Sequence, residues 1–162
     1  MNSNEFVVNA SPIISLAKIG HADLLLALAR KVVVPRGVYE EILAYRSVDP
    51  AARWLSDKES SLVQQVTVPS FVAAWNLGKG ESEVIAFAHD NRTFGVVIDD
   101  RPAKRCAQVL GIAARGTIAV ICEAKRNGLV DSAGALLMQL QANGFRISEP
   151  LLVTALKLVD EA

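Results

Sequence analysis

The stretch FGVVIDDRPAKRCAQVLG, residues 94–111, contains one complete strand-to-helix unit. FGVVI is a short, continuous apolar run, as expected of a strand buried on both faces. Asp99 and Asp100 end it. The following stretch reads as a helix, with Pro102 near its start, where a missing N–H is tolerated, and Gly111 at its end. A buried strand that stops at acids and turns at once into a helix is the building unit of a parallel α/β sheet.

The unit recurs on both sides. Residues 6–8 read as a first strand, and Ser11-Pro12 supplies an N-cap and a first-turn proline for a helix over 13–20. Asp23 can cap a second helix over 24–30. KVVV, residues 31–34, is a β-branched strand stopped by Pro35. Helices are expected over 36–46 and 51–55, and a strand over 62–68 ended by Pro69. GKGESEVIAFAHDN, residues 78–91, is a Gly-rich turn opening into a helix. Residues 112–114 suit a fifth strand, and 117–128 a helix stopped by Asn127-Gly128. Asp131 and Ser148 can cap two more helices. This alternation predicts a parallel sheet covered by helices on both faces.

The chain has 162 residues, a one-domain length, and 51% of them are hydrophobic, enough for a sizeable core. Lys plus Arg equals Asp plus Glu, 17 each, so no broad charge draws the molecule toward nucleic acid or membrane. A local basic patch is compatible with that balance. No positive stretch precedes the first apolar segment, so no signal peptide is expected, and no apolar run is long enough to span a bilayer. Cys106 and Cys122 form no CxxC and read as buried free thiols of a cytoplasmic protein.

Ligands of open parallel sheets bind at the carboxyl ends of the strands. Asn9 follows the first strand, Glu40 and Glu41 lie early in the helix after the second, Glu81 opens the helix after GKG, and Asp99 and Asp100 end the GVVI strand. On a helical wheel Val84, Ile85 and Ala88 define the core direction; Glu81 lies on their side and Glu83 nearly opposite. The wheel leaves Glu40 and Glu41 flanking one apolar face, without choosing between them. Successive strand residues alternate, so Asp99 and Asp100 suggest one functional acid and one helix cap.

Several carboxylates without Cys or His ligands suit Mg²⁺ or Mn²⁺. Such a cluster is the usual apparatus of phosphodiester hydrolysis. Arg101, Lys104 and Arg105 follow the acids directly and could touch phosphates. Lys125 and Arg126 read as a helix C-terminus favoured by the dipole. GKGESE is neither GxGxxG nor a P-loop, and no GxSxG or Ser-His-Asp arrangement is visible.

Taken together, VVNASPIISLAKIG followed by DLL, VVVPRGVYEEI, LGKGESEVIAFA, VVIDDRPAKRCAQVLGI and GTIAVICEAKRNGLV resemble the PIN-like superfamily. The closer likeness is to its prokaryotic branch of nucleic-acid-binding proteins related to the toxin nucleases of toxin–antitoxin pairs. The resemblance covers residues 6–147 of a single domain over 1–162, leaving a C-terminal helix over 148–162. It implies a three-layer α/β/α sandwich with a parallel, roughly five-stranded sheet. It implies metal-dependent RNA cleavage in an acidic pocket holding Mg²⁺ or Mn²⁺. It also implies a homodimer and a small antitoxin as partner. The family's catalytic set falls on Asn9, Glu41, Glu81 and Asp100, with Asp99 beside the last; Asn9, Glu41, Glu81 and Asp100 are the implied metal ligands. Ser11 and Thr117 match polar positions near the pocket.

Asn9 is the departure, because the family usually has Asp there. An amide offers a neutral oxygen, and one charge fewer should weaken a hard-ion site. A second reading is therefore a weakly active or inactive PIN-like module that binds nucleic acid or protein. A third, an unrelated α/β enzyme acting on nucleotide phosphates, lacks a phosphate-loop signature.

Overall fold

The structure is a computed structural model that describes residues 4–45 and 49–162. Five strands form one parallel sheet: β1 (Glu5–Val8), β2 (Lys31–Pro35), β3 (Val63–Gln64), β4 (Phe94–Val97) and β5 (Ala114–Arg115). The spatial order is β3-β2-β1-β4-β5. The chain builds one half outward from β1, then returns to place β4 on the other side of β1. In register, Val7 faces Val33 on β2 and Val96 on β4. All four residues of β1 and of β4 are buried, which explains the continuous apolar runs at 6–8 and 94–97; Glu5, the charged exception, accepts hydrogen bonds from Arg30 and Thr93.

The helices between β1 and β3 are α1 (Ala10–Lys18), α2 (Asp23–Leu28), α3 (Arg36–Tyr45), α4 (Pro50–Ser56) and α5 (Glu59–Leu62). Beyond β3 come α6 (Ser70–Ala73), α7 (Lys79–Asp90), α8 (Arg101–Val109), α9 (Thr117–Arg126), α10 (Ala133–Ala142) and α11 (Glu149–Leu158). Helix α7 packs on β1, β2 and β4 and touches α3, α6 and α8, while α9 gathers α1, α2, α10 and α11. The sheet is thus flanked by helices as an α/β/α sandwich. The core joins Phe6, Val33, Ile85, Ile98, Ile121 and Leu137, each at most 1% exposed. Both cysteines are buried and free. Among the described residues, no helix is long and apolar enough to cross a membrane.

Several element ends differ from expectation. Helix α1 starts at Ala10, with Asn9 rather than Ser11 at the N-cap and Pro12 inside the first turn. Proline is tolerated there because first-turn N–H groups have no intrahelical acceptor. Ala22, not Asp23, precedes α2; Asp23 instead accepts a hydrogen bond from Trp54 Nε1 at 2.7 Å. The strand expected over 62–68 shortens to Val63–Gln64, because β2, which it pairs with, ends at Pro35. The fifth strand shifts from 112–114 to Ala114–Arg115, since the turn after α8 holds Ile112 N–H on Ala107 O. Ser132, not Asp131, caps α10 by accepting from Ala135 N–H, whereas Ser148 caps α11 as expected. The short helices α5 and α6 were not anticipated. Position 46, the expected end of α3, lies outside the described residues.

Candidate functional site

The strand order reverses between β1 and β4, so a crevice is expected beyond their carboxyl ends. Asn9 and Asp99 sit there. Asn9 N–H continues the β1–β4 ladder by bonding Val97 O at 3.0 Å. Its backbone is extended and it occupies the N-cap of α1, yet its side chain makes no capping bond. Its Nδ2 donates instead to Glu81 Oε1 at 3.4 Å, from the first turn of α7.

Glu41 joins these two through a close approach of helices. Glu41 Oε2 and Asn9 Oδ1 each lie 3.2 Å from the point where a Gly80 side chain would begin. Gly80 therefore lets α7 approach α3 and β1, and any larger residue would push the oxygens apart. Glu40 turns away, its carboxylate 3.5 Å from exposed Lys79 Nζ. The pair left open by the wheel is thus divided by geometry: Glu41 faces the crevice and Glu40 faces solvent.

This group of three side chains has surplus acceptors. Asn9 is 3% exposed, and its Oδ1 is buried without a hydrogen-bond donor. Burial of its carboxyl end raises the pKa of Glu41, and the nearby charge of Glu81 raises it further. A buried orphan oxygen beside two mutually repelling carboxylates is a poor arrangement unless a cation or a proton joins it.

Asp99 forms the second part of the site. Its Oδ2 accepts from Ser11 Oγ at 2.9 Å and from Thr117 Oγ1 at 2.7 Å, and its Oδ1 accepts from Thr117 N–H at 2.8 Å. Thr117 is fully buried at the start of α9. The two polar residues singled out near the pocket therefore both hold Asp99. Asp100, the expected ligand, faces elsewhere: its Oδ2 accepts from Ala103 N–H at 2.9 Å and caps α8. The chain has already turned between the two acids, and the cap geometry takes the second. Among the basic candidates, Arg101 and Arg105 are exposed, and Lys104 is half-buried near Asp99.

Among the described residues, no three His, Cys, Asp or Glu side chains stand close enough to hold an ion by themselves. The expected convergence of acids is therefore incomplete: Asp100 caps a helix, and Asp99 is anchored on the α9 side. A cation here would need the amide oxygen of Asn9 as well as Glu41 and Glu81. The all-oxygen donor set fits a hard divalent ion.

Glu83 was expected opposite the core, yet it is 3% exposed and accepts from Gly37 N–H at 3.0 Å. Gly37 has no room for a side chain, because its first carbon would fall 2.1 Å from Glu83 Oε2. The visible signal was the pairing of a helix-start glycine in α3 with a second acid two residues after Glu81.

The sequence profile of a family described as a PIN domain matches residues 5–161. No curated protein matches the chain.

Proposed function

The chain belongs to the PIN-domain family, and on that premise we propose that it is a Mg²⁺- or Mn²⁺-dependent ribonuclease. PIN domains have a nuclease-type fold; the choice of metal and of RNA is the finer reading. The observation that carries it is Asn9 Oδ1, buried and without a donor, beside Glu41 and Glu81 at the sheet's switch point.

Asn9 Oδ1, Glu41 and Glu81 would hold the ion, with Asp99 at the far side of the crevice. A divalent ion there supplies an acidified water and a polarised phosphoryl oxygen. The protein's own groups do the rest. Ser11 and Thr117 fix the orientation of Asp99, leaving its carboxylate further acceptor capacity. Asp99, rather than Asp100, is therefore the fourth site residue in this reading. Arg101, Lys104 and Arg105 would hold the phosphate backbone. The resemblance to toxin nucleases is the support for a small antitoxin partner and a homodimer.

The test is RNA cleavage with added Mn²⁺. Wild type should cut, Glu81→Gln should lose on the order of a hundredfold in rate or more, and Asn9→Asp should cut faster. Cleavage unaffected by Glu81→Gln would remove this site. The second reading, a binding module without cleavage, is favoured by Asn9 itself, whose amide brings no charge. It predicts salt-sensitive RNA binding with no cleavage in wild type and a gain of cleavage in Asn9→Asp.

A further inference from the structure

A groove of about 250 Å³ opens between α9 and α11, directly beside Asp99. Ile118 and Ala119 line it from α9, and Leu151 and Leu158 from α11. The two leucines are 45% and 58% exposed, so α11 leaves apolar surface uncovered on this side. Lys104 stands at the Asp99 end, and Arg126 lies at the last turn of α9, about 13.5 Å along that helix from Thr117 at 1.5 Å per residue. Among the described residues, neither cation has a carboxylate within salt-bridge distance. Thr154 Oγ1 donates to Pro150 O, and between the two cations the wall is mostly aliphatic.

We infer that this groove seats one unstacked base of a single-stranded RNA, with Lys104 and Arg126 meeting phosphates of the nucleotides before and after it. The inference rests on the ribonuclease reading. Three observations favour this occupant. The groove is smaller than a typical pocket for a drug-sized ligand, about 300–1,000 Å³, which suits a single base. Its two cations complement a chain of phosphates, in a molecule whose net charge is zero. Asp99 lines it, so an RNA strand that crosses the acidic crevice can continue into it. Duplex RNA keeps its bases stacked and paired, and cannot deliver one into the groove. Because the walls are aliphatic, the subsite should tolerate every base.

Fluorescence anisotropy in EDTA with a labelled single-stranded oligoribonucleotide tests this, alongside Mn²⁺-dependent cleavage of the same strand. Thr154→Glu, which puts a negative charge between the two cations, and the double variant Leu151→Ser/Leu158→Ser should each weaken single-strand binding about tenfold. The same RNA held as a duplex should bind weakly to all of them. These positions are partly exposed, and unchanged circular dichroism melting would show that the variants fold. Wild-type cleavage together with variants that bind like wild type would overturn the groove while leaving the nuclease standing. A wild type that neither binds nor cuts RNA would overturn both. A wild-type dimer that the double variant converts to monomer, with RNA affinity unchanged, would assign the groove to a second copy and overturn the inference.

Discussion

Asn9 occupies a helix N-cap, where an Asn side chain normally accepts from the backbone, and it does not do so. Its amide is turned to Glu81 instead, leaving Oδ1 buried and unmet. Replacing Asn9 by Asp adds a charge among two glutamates. Without metal the variant should melt earlier than wild type, by about 1–3 kcal/mol of stability. With Mn²⁺ it should bind on the order of tenfold tighter, as thermal melts with and without the ion would reveal. Glu41 gives a pH signature. Its folded-state pKa is raised, so the folded chain holds this proton more tightly than the unfolded chain. Metal-free stability should therefore fall as pH rises from the ordinary carboxylate range through the raised value. Glu41→Gln should flatten that fall and also remove the stabilisation by Mn²⁺. At this scale the sequence was partly legible. Asn9, Glu41 and Glu81 could be placed at one edge from strand ends and helix starts. Which of Asp99 and Asp100 faces inward could not, because it depends on the residue at which the chain leaves the β4 direction, and Thr117 and Ser11 decide that from distant parts of the chain.

At the level of elements, the contact between α3 and α7 sets the site. Two glycines make it close: Gly80 opposite Asn9 and Glu41, and Gly37 opposite Glu83. Gly80→Ala should displace those oxygens by a few tenths of an ångström and weaken the metal affinity, while the better helix propensity of alanine keeps the stability change within about 1 kcal/mol; an Mn²⁺ titration and urea unfolding would measure the two effects. The wheel placed Glu83 on an outer face because it assumes that a helix has one. Helix α7 instead buries Gly80, Ser82, Glu83, Val84, Ile85, Ala86 and Ala88, so its far side meets α3 rather than water. Strand ends were legible only where both neighbours existed; β3, paired with just the last two residues of β2, ran out early. At the other end of the chain, Glu161 accepts from Gly134 N–H, Ser132 Oγ and Ala133 N–H, and these bonds lower its pKa, the Gly134 bond most. Its contribution to docking α11 is present above the ordinary carboxylate range and is lost as pH falls through the lowered value. In Glu161→Gln, amides of α11 should exchange faster at neutral pH than in wild type, by hydrogen–deuterium exchange.

Across the whole molecule, the order β3-β2-β1-β4-β5 brings residues from four separate parts of the chain to one edge. This much was readable in the alternation of apolar strands and helices, because a sheet covered on both faces forces its ligands to the strand ends. The groove beside α11 was not readable, since its walls come from helices that pack only once the sheet is formed. Zero net charge shapes the expected partner chemistry. With Arg101, Lys104, Arg105 and Arg126 as the phosphate contacts, the logarithm of the RNA association constant should fall against the logarithm of salt with a slope of about −2 to −3. The central claim is that Asn9, Glu41 and Glu81 together hold a divalent ion, and isothermal titration with Mn²⁺ tests it most directly. Wild type should bind an ion at this site, Glu81→Gln should abolish that binding, and Asn9→Asp should tighten it. A wild type that takes up no Mn²⁺ at millimolar concentration, or binding that survives Glu81→Gln unchanged, would contradict it.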